Sequence, residues 1–289
     1  MHMIQSSRYA SITSNDQKSE HGEPLARTTQ PYRPMTGSKD DRTPRTQVSQ
    51  SETREDRDKA NHTTAMHYAI TEQLAIDIIE GRWKPGQSMT LNDIQERFSI
   101  SRTVAREVAH TLESTHAVIV KKRVGLIAQD LHEWLSLDTQ VIRWKLHSNH
   151  RRRQLLTLNE LRLAVEPIAA ADTAIKASIE TRALMPVLAM ELRKKAKSGN
   201  LDEFHRIDVR FHNEILTNSG NELFSALSSL VSIVLVSRVE QGLYPEKPRP
   251  EALDAHEQVA DAIWKGDADL AKEAMTRIVD EVRASTEQS

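Results

Sequence analysis

The sequence predicts a mainly α-helical chain, with an N-terminal winged helix-turn-helix followed by a C-terminal all-α antiparallel helical bundle. Residues 91–112 read as a short amphipathic helix, a turn and a second amphipathic helix. Two β-branched runs follow directly, at 118–128. Beyond residue 137 we find no strand pattern, and turn-forming residues divide the chain into helix-sized pieces.

The composition excludes several classes of protein. The 289 residues include no cysteine, which rules out disulfides, thiolate metal sites and cysteine nucleophiles. The formal net charge is −2, so any surface for a polyanion must be a local patch. We find neither a signal-peptide pattern nor an apolar run near the roughly 18 residues of a membrane span. We therefore expect a cytoplasmic protein with no membrane partner.

Residues 1–62 are predicted to form a disordered tail. They are rich in Ser, Thr, Gln, Asp, Lys, Arg and Pro and contain almost no apolar clusters. Such a segment buries too little apolar surface to offset the conformational entropy lost on folding. Its opposite charges nearly cancel, which favours a solvated tail over a basic arm.

The winged helix-turn-helix is predicted over residues 63–129. Its first helix, at 66–80, has an apolar stripe with a period of 3.6 residues. The second helix covers 91–98. Ser101 then stands where its side chain can cap the third helix, and Ile100 is expected to be buried in the turn.

The third helix places arginine opposite its apolar face. Val104 and Val108 share that apolar face, whereas Arg102 and Arg106 fall on the exposed side. The rigid arginine fork binds guanine O6 and N7, or a phosphate, through two hydrogen bonds. A solvated helix face is the alternative explanation. From this helix we expect DNA contacts by Ser101, Arg102, Thr103 and Arg106.

A basic tip with a glycine separates the two β-branched runs, which favours the DNA-binding interpretation. This arrangement is typical of the wing of a winged helix, and it comes directly after the recognition helix. Its cations would contact phosphates or the minor groove. The wing residues expected at DNA are Lys121, Lys122, Arg123 and Gly125.

These segments resemble the winged-helix domain of GntR-type bacterial regulators. The similarity rests on residues 83–86, on 98–108 and on the Gly125 wing. It implies a homodimeric transcription regulator that places two recognition helices on a palindromic operator in double-stranded DNA. The sequence departs from the family at Thr90-Leu91-Asn92, where a Ser-Glu pair is common.

Residues 130–136 are predicted to be a linker, and 137–286 a helical domain with its own core. The predicted helices of that domain cover 138–148, 152–177, 180–198, 200–217, 220–241, 249–265 and 267–286.

Three residues of the helical domain have the pattern of a metal site. Asp208 and His212 are four residues apart, so their side chains project from one helical face and can share a metal ion. An ordinary ion pair on a helix surface is the more common explanation of one such pair. His256 becomes a third ligand if its helix neighbours that of Asp208.

Arg162 stands beside an apolar helical stripe and has two interpretations. An arginine in this position usually snorkels to solvent or pairs with a nearby acid, here Glu166. The functional alternative is a fork that binds a ligand carboxylate.

Residues 160–167, 208–213, 219–221 and 256–267 resemble the FCD domain, the effector-binding and dimerisation domain of the FadR branch of GntR regulators. The resemblance implies a divalent metal, zinc or a similar ion, beneath a pocket for a small carboxylate. The carried-over ligands are Asp208, His212 and His256, with Ile278 at the position of a fourth histidine. Either an effector or water completes the ion, or the site is metal-free and its polar groups bind the effector directly.

Residues 137–144, the run at 208–212 and the missing last histidine look like the galactonate-operon repressor subgroup. This similarity implies repression controlled by a sugar acid such as galactonate or gluconate. By that resemblance Arg162 would hold the carboxylate.

Two alternatives remain from the sequence. One is a metal-dependent hydrolase using Asp208, His212 and His256, although no general base, His-Glu-x-x-His pattern or nucleophile elbow is found. The other is a dimeric DNA-binding protein without an effector response. We expect the chain not to be an enzyme.

Overall fold

The computed structural model describes residues 54–240 and 248–288, with side chains described for 65–240 and 248–283. The N-terminal part of this region is a winged helix-turn-helix with a three-stranded antiparallel sheet in the order β1-β3-β2. Its elements are α1 (Arg54–Ile79), β1 (Ser88–Met89), α2 (Leu91–Phe98), α3 (Arg102–Ser114), β2 (Val118–Lys121) and β3 (Gly125–Ala128).

Helix α1 starts earlier than the apolar pattern indicated. The prediction of a disordered tail is wrong for 54–62, which are helical, while 1–53 lie outside the described residues. Residues 54–62 contain helix-favouring Arg, Glu, Lys and Ala, and neither Pro nor Gly. The prediction relied on apolar periodicity, which a helical extension with a polar sequence does not show.

The junction between the winged helix-turn-helix and the helical domain contributes residues to the cores of both. Trp134 from the predicted linker packs edge-to-face on Trp144 from the next helix, with ring centroids 6.1 Å apart. Both tryptophans belong to the core of the winged helix-turn-helix, as does Val141. Ile142 and Leu146, on the other face of the same helix, belong to a separate cluster in the helical domain. This helix therefore connects the two cores.

The helical domain follows the predicted order of helices. Pro167 and Pro186 both lie inside continuous helices. The predicted helix at 220–241 is two helices, separated at Leu227. The elements are α4 (Thr139–Leu146), α5 (Arg151–Lys176), α6 (Ile179–Ser198), α7 (Leu201–Thr217), α8 (Glu222–Ala226), α9 (Ser228–Glu240), α10 (Pro250–Lys265) and α11 (Ala268–Gln288).

The main core of the bundle lies between its long helices. Helix α5 packs along α11 and also contacts α10 and α7, and α6 packs on both α10 and α7. The core includes Phe204 and Phe211 of α7 and Val259 of α10, each at most 2% exposed. Packing of α5, α7 and α10 around this core places the polar residues described below.

Taken together, α8 and α9 form a stretch, Glu222–Glu240, that is long and apolar enough to cross a membrane by length and composition. This stretch is not an unbroken apolar run, because Ser225, Ser232 and Ser237 interrupt it, so the expectation about apolar runs is unchanged. Leu230, Val231 and Leu235 of this stretch are buried among the helices of the bundle.

Candidate DNA-binding surface and ligand site

Local capping defines the helix-turn-helix. The hydroxyl of Thr90 accepts a hydrogen bond from the Asp93 amide, and the Asp93 carboxylate accepts one from the Thr90 amide, which together form a capping box. Ser101 Oγ accepts from the Val104 amide at 3.3 Å, which confirms the predicted cap of α3. Ile100 is half-buried against the core rather than fully buried.

The recognition helix separates its apolar and polar residues as predicted. Val104 and Val108 are buried in the core, whereas Arg102, Thr103 and Arg106 are exposed. No ion pair within the described chain holds either arginine, so both guanidinium groups remain available to an outside partner.

The wing has the predicted geometry, with a basic tip between β2 and β3. Lys121 pairs with Gly125 in the antiparallel register, and Lys122 and Arg123 are exposed at the turn. Gly125 has φ +106°, and a Cβ atom there would lie 2.5 Å from the Met89 carbonyl oxygen. The glycine therefore allows β1 to approach β3. This packing explains the presence of glycine here, in addition to the DNA contact that is expected of it.

A buried aspartate, which was not among the predicted site residues, supports this domain. The Asp77 side chain is 2% exposed and lies 2.6 Å from Arg82 Nε and 2.6 Å from Arg97 Nη2. Burial alone would raise the pKa of this carboxyl, but hydrogen bonds from Arg82, Arg97 and Gln73 outweigh burial and lower it. No sequence pattern pointed to Asp77, since its two arginine partners lie in a turn and in another helix.

The helical domain brings together the four residues expected to bind an effector. Arg162 comes from α5, Asp208 and His212 from α7, and His256 from α10, and each is at most 4% exposed. Glu166, one turn after Arg162, joins them and is also buried. The sequence predicted Glu166 only as a possible partner for Arg162, and its contact with His212 was not predicted.

Both histidines direct Nε2 towards Asp208. His256 Nε2 lies 3.1 Å from Asp208 Oδ1, and His212 Nε2 lies 3.9 Å from the same oxygen. On the opposite side of each ring, His212 Nδ1 is hydrogen-bonded to Glu166, and His256 Nδ1 lies 2.7 Å from the Ala252 carbonyl oxygen. If Nδ1 donates in each ring, both Nε2 atoms keep a lone pair for a ligand.

This donor set fits a divalent cation. One ligand atom from each of Asp208, His212 and His256 lies within 4.8 Å of the others. Asp208 Oδ1 and His256 Nε2 are close but not aligned for a hydrogen bond, and neither atom has a hydrogen-bond partner within the described chain. Metal-binding histidines are often oriented by a carboxylate that accepts a hydrogen bond from the ring nitrogen that does not bind the metal, and Glu166 is placed to do this for His212. Two imidazoles and a carboxylate suit zinc and leave coordination positions open.

Arg162 uses only part of its guanidinium within the protein. Its Nε donates to Glu166 Oε1 at 2.5 Å. Its terminal nitrogens, Nη1 and Nη2, are buried, and neither has a hydrogen-bond partner among the described residues. Unmade hydrogen bonds from a buried cation are costly, and a carboxylate or an ordered water would satisfy these donors.

The electrostatics keep the carboxylates charged. Burial favours the neutral form of Glu166, but Arg162 and His212 outweigh it and lower its pKa to about 2. Burial likewise opposes the charge on Asp208, yet the histidines and Arg162 hold its pKa well below the usual range. Burial would lower the pKa of His256, but the contact with Asp208 raises it.

The fourth family position holds no ligand in this chain. Ile278 is 4% exposed and packs in the main core of the bundle. An isoleucine contributes apolar contacts at this position, so the described side chains offer three candidate ligands rather than four.

Two family models match the chain. Residues 68–127 match the bacterial regulatory proteins of the gntR family, and residues 157–281 match the FCD domain. The chain belongs to the GntR family, with an FCD domain. The predicted recognition and fold class are thereby confirmed.

Relatives of this GntR regulator are known from Escherichia coli (strain K12). The galactonate operon transcriptional repressor is 27% identical over 212 residues, which are 73% of this chain and 92% of the relative. The uncharacterized HTH-type transcriptional regulator YieP is 24% identical over 72% of this chain and 90% of its own length. A solved GntR structure from Streptococcus agalactiae has 20% identity and a TM-score of 0.44, covering 76% of this chain and 99% of that one.

The family assignment decides between the classes of function. Both family models and these curated relatives describe transcription regulators, which confirms that the chain is not an enzyme. The hydrolase alternative is therefore wrong, although the three residues on which it rested do lie together. The GntR domain is the part that binds operator DNA, and the FCD domain the part that binds a small-molecule effector.

Proposed function

We propose that this GntR regulator is a cytoplasmic homodimeric repressor that releases its operator when a sugar acid, such as galactonate or gluconate, binds the FCD domain. The observation that carries the proposal is Arg162, a fully buried arginine whose two terminal nitrogens have no partner in the described chain. A carboxylate ligand would satisfy both donors with the bidentate geometry that arginine favours.

The polar cluster beside Arg162 suits the rest of a sugar acid. Asp208, His212 and His256 would hold a divalent ion, which would supply a positive charge to bind ligand oxygens. Without an ion, the same three side chains offer hydrogen bonds to hydroxyl groups. The name of one relative, the galactonate operon transcriptional repressor, favours a sugar acid over other carboxylates.

The DNA side of the proposal rests on the exposed cations of α3 and the wing. Arg102 and Arg106 would enter the major groove, and the wing cations Lys121, Lys122 and Arg123 would contact the backbone or the minor groove. A two-fold dimer presents two such surfaces to a palindrome.

Helix α4 is the proposed connection between the two activities. It contributes Val141 and Trp144 to the core of the DNA-binding domain and Ile142 and Leu146 to the helical domain. A ligand alters operator affinity only if it binds with different affinity to the arrangement of the DNA-binding domains that fits the operator and to the arrangement that does not. A shift of α5 around the ligand would be passed to α4, which it contacts.

The test is a set of thermal melts with sugar acids, dicarboxylates and lactate, with and without EDTA. A ligand at about 100 times its Kd should add about 2.7 kcal/mol to the free energy of unfolding. Stabilisation by one sugar acid, accompanied by release of operator DNA, would support the proposal, and its loss in EDTA would place an ion in the site. No response to any acid would favour the alternative of a dimeric DNA-binding protein without an effector.

A further inference from the structure

A cleft, which we call the linker cleft, lies between the linker and the start of the helical domain. Its volume is about 540 Å³. One wall is apolar and includes Leu131 and Leu137 of the linker and Leu158 of α5. The rim is polar and includes Lys145 of α4 with His150 and Arg153 at the start of α5. Arg162, the centre of the effector site, does not line it.

The rim of the linker cleft has positive charge without a matching acid. Lys145 is half-buried, and burial together with the nearby Arg153 lowers its pKa. Neither cation has an ion pair within the described residues, and no Asp or Glu is among the residues that line the cleft. Two cations held close together, one of them half-buried, are stabilised by an anion.

Acids near the cleft are already engaged. Glu72 pairs with His147, and Glu80 accepts a hydrogen bond from the Asn149 amide at 3.0 Å. Glu133 pairs with His132 at 2.9 Å on the exposed side of the linker. None of these carboxylates contacts Lys145 or Arg153.

The start of α5 independently favours an anion. His150 is the N-cap residue of this 26-residue helix and makes no side-chain capping bond, and the first turn contains no acid. Its first three residues are instead Arg151, Arg152 and Arg153. Cations at the positive end of a helix dipole are unfavourable, whereas an anion there is stabilised by both the dipole and the arginines.

We propose that the linker cleft binds a small amphipathic anion, a carboxylate attached to an apolar chain or ring. The carboxylate would lie between Lys145, Arg153 and the start of α5, and the apolar body would pack on Leu131, Leu137 and Leu158. The ligand would hold the linker against α4 and α5. This site is separate from the effector site of the proposed function and does not depend on it.

Octanoate is a suitable probe, because it combines the two features that the cleft would recognise. Isothermal titration of the full-length protein should give one octanoate site per chain. Acetate keeps the charge without the apolar body, and octanol keeps the apolar body without the charge. Each should bind at least tenfold more weakly than octanoate.

Variants locate the probe. Combining Lys145→Gln with Arg153→Gln should weaken octanoate binding at least tenfold, and Arg153→Gln alone, at an exposed position, at least threefold. The pair Lys194→Gln and Lys197→Gln removes the same charge from exposed positions of α6 and should leave affinity unchanged. Thermal melts of each variant confirm that it is folded.

Three results would overturn the proposal. The first is that the wild-type protein does not bind octanoate. The second is that the Lys145 and Arg153 variants, although folded, bind it as the wild type does. The third is that Arg162→Ala abolishes octanoate binding, which would place the probe in the effector site. Octanoate affinity that survives Arg162→Ala supports a separate cleft, even if no sugar acid proves to be an effector.

Discussion

The Nε atom of Arg162 lies 2.5 Å from Oε1 of Glu166, one turn further along α5, and both side chains are 1% exposed. The other oxygen of Glu166 is hydrogen-bonded to His212. Glu166 therefore orients both the arginine proposed to bind a carboxylate and a histidine proposed to bind a metal. The two parts of the ligand site share this one buried acid.

Arg162→Ala should abolish the effector response while leaving DNA binding in place. Loss of two charge-assisted hydrogen bonds should weaken sugar-acid binding by about a hundredfold or more. The free energy of unfolding without ligand should also fall by about 3 kcal/mol, because the buried Glu166 carboxylate loses its arginine partner. Thermal melts with ligand and operator-binding titrations measure both effects. Arg210→Ala, an exposed arginine of α7, is the control, and normal release of DNA by the Arg162 variant would refute the assignment.

Tag-free protein should bind about one divalent ion per chain, measured by elemental analysis after zinc loading and dialysis. Asp208→Asn and His256→Gln should each abolish this binding, since each removes one of the three candidate ligands found among the described residues. His205→Gln, on the same helix but outside the cluster, should retain the ion. If zinc-loaded wild-type protein holds no metal, the polar groups must bind the effector directly.

Arg102→Ala and Arg106→Ala should each weaken operator binding by about tenfold to a hundredfold, corresponding to about 1–3 kcal/mol for a base contact. Fluorescence anisotropy with an operator selected from genomic DNA provides the measurement. Arg206→Ala removes an exposed arginine that pairs with Glu203 on α7, and it should bind DNA normally. Wild-type affinity for the operator in both α3 variants would show that the exposed face of this helix is solvated and does not contact DNA.

Gly125→Ala should disturb the wing, because the added Cβ would meet the Met89 carbonyl oxygen at 2.5 Å and φ is +106°. We expect a loss of at least about 2 kcal/mol in the free energy of unfolding, together with weaker DNA binding. Gly199→Ala is a matched control, since its φ is +70° but the space around it is open. Equal losses in the two variants would mean that the contact with β1 does not matter.

Asp77→Asn should lower the free energy of unfolding at pH 7 by about 2 kcal/mol, because it replaces a buried carboxylate that accepts hydrogen bonds from two arginines. The folded-state pKa of Asp77 lies below its ordinary value of 3.8. The stabilisation is thus fully present above pH 3.8 and is lost as the pH falls through the lower, folded-state pKa.

Urea unfolding at pH 7, 5 and 3 measures this pH dependence. The difference between wild type and Asp77→Asn should be equal at pH 7 and 5 and smaller at pH 3. Asp130→Asn, at an exposed position, should not change the free energy of unfolding at any of the three pH values. A difference that disappears between pH 7 and 5 would contradict the lowered pKa.

Much of the local structure could be predicted from the sequence, because its causes lie within a few residues. Helix α2 has the predicted bounds, and Ser101 caps α3 as expected. The predicted start of α1 is wrong because a polar helix has no apolar period. The division of the predicted helix at Leu227 was missed because apolar residues continue across it.

The sequence by itself determined the order of helices, the exposed arginines of α3 and the spacing that places Asp208 and His212 on one face. Only the tertiary structure decided that His256 lies 3.1 Å from Asp208, that Glu166 contacts His212, and that Arg162 keeps two unpaired nitrogens. The physical reason is range. Periodicity and caps come from neighbours along the chain. The contacts between α5, α7 and α10 depend instead on how these helices pack around the apolar core. Apolar packing is non-directional, so the sequence pattern of the core does not indicate which polar residues will meet.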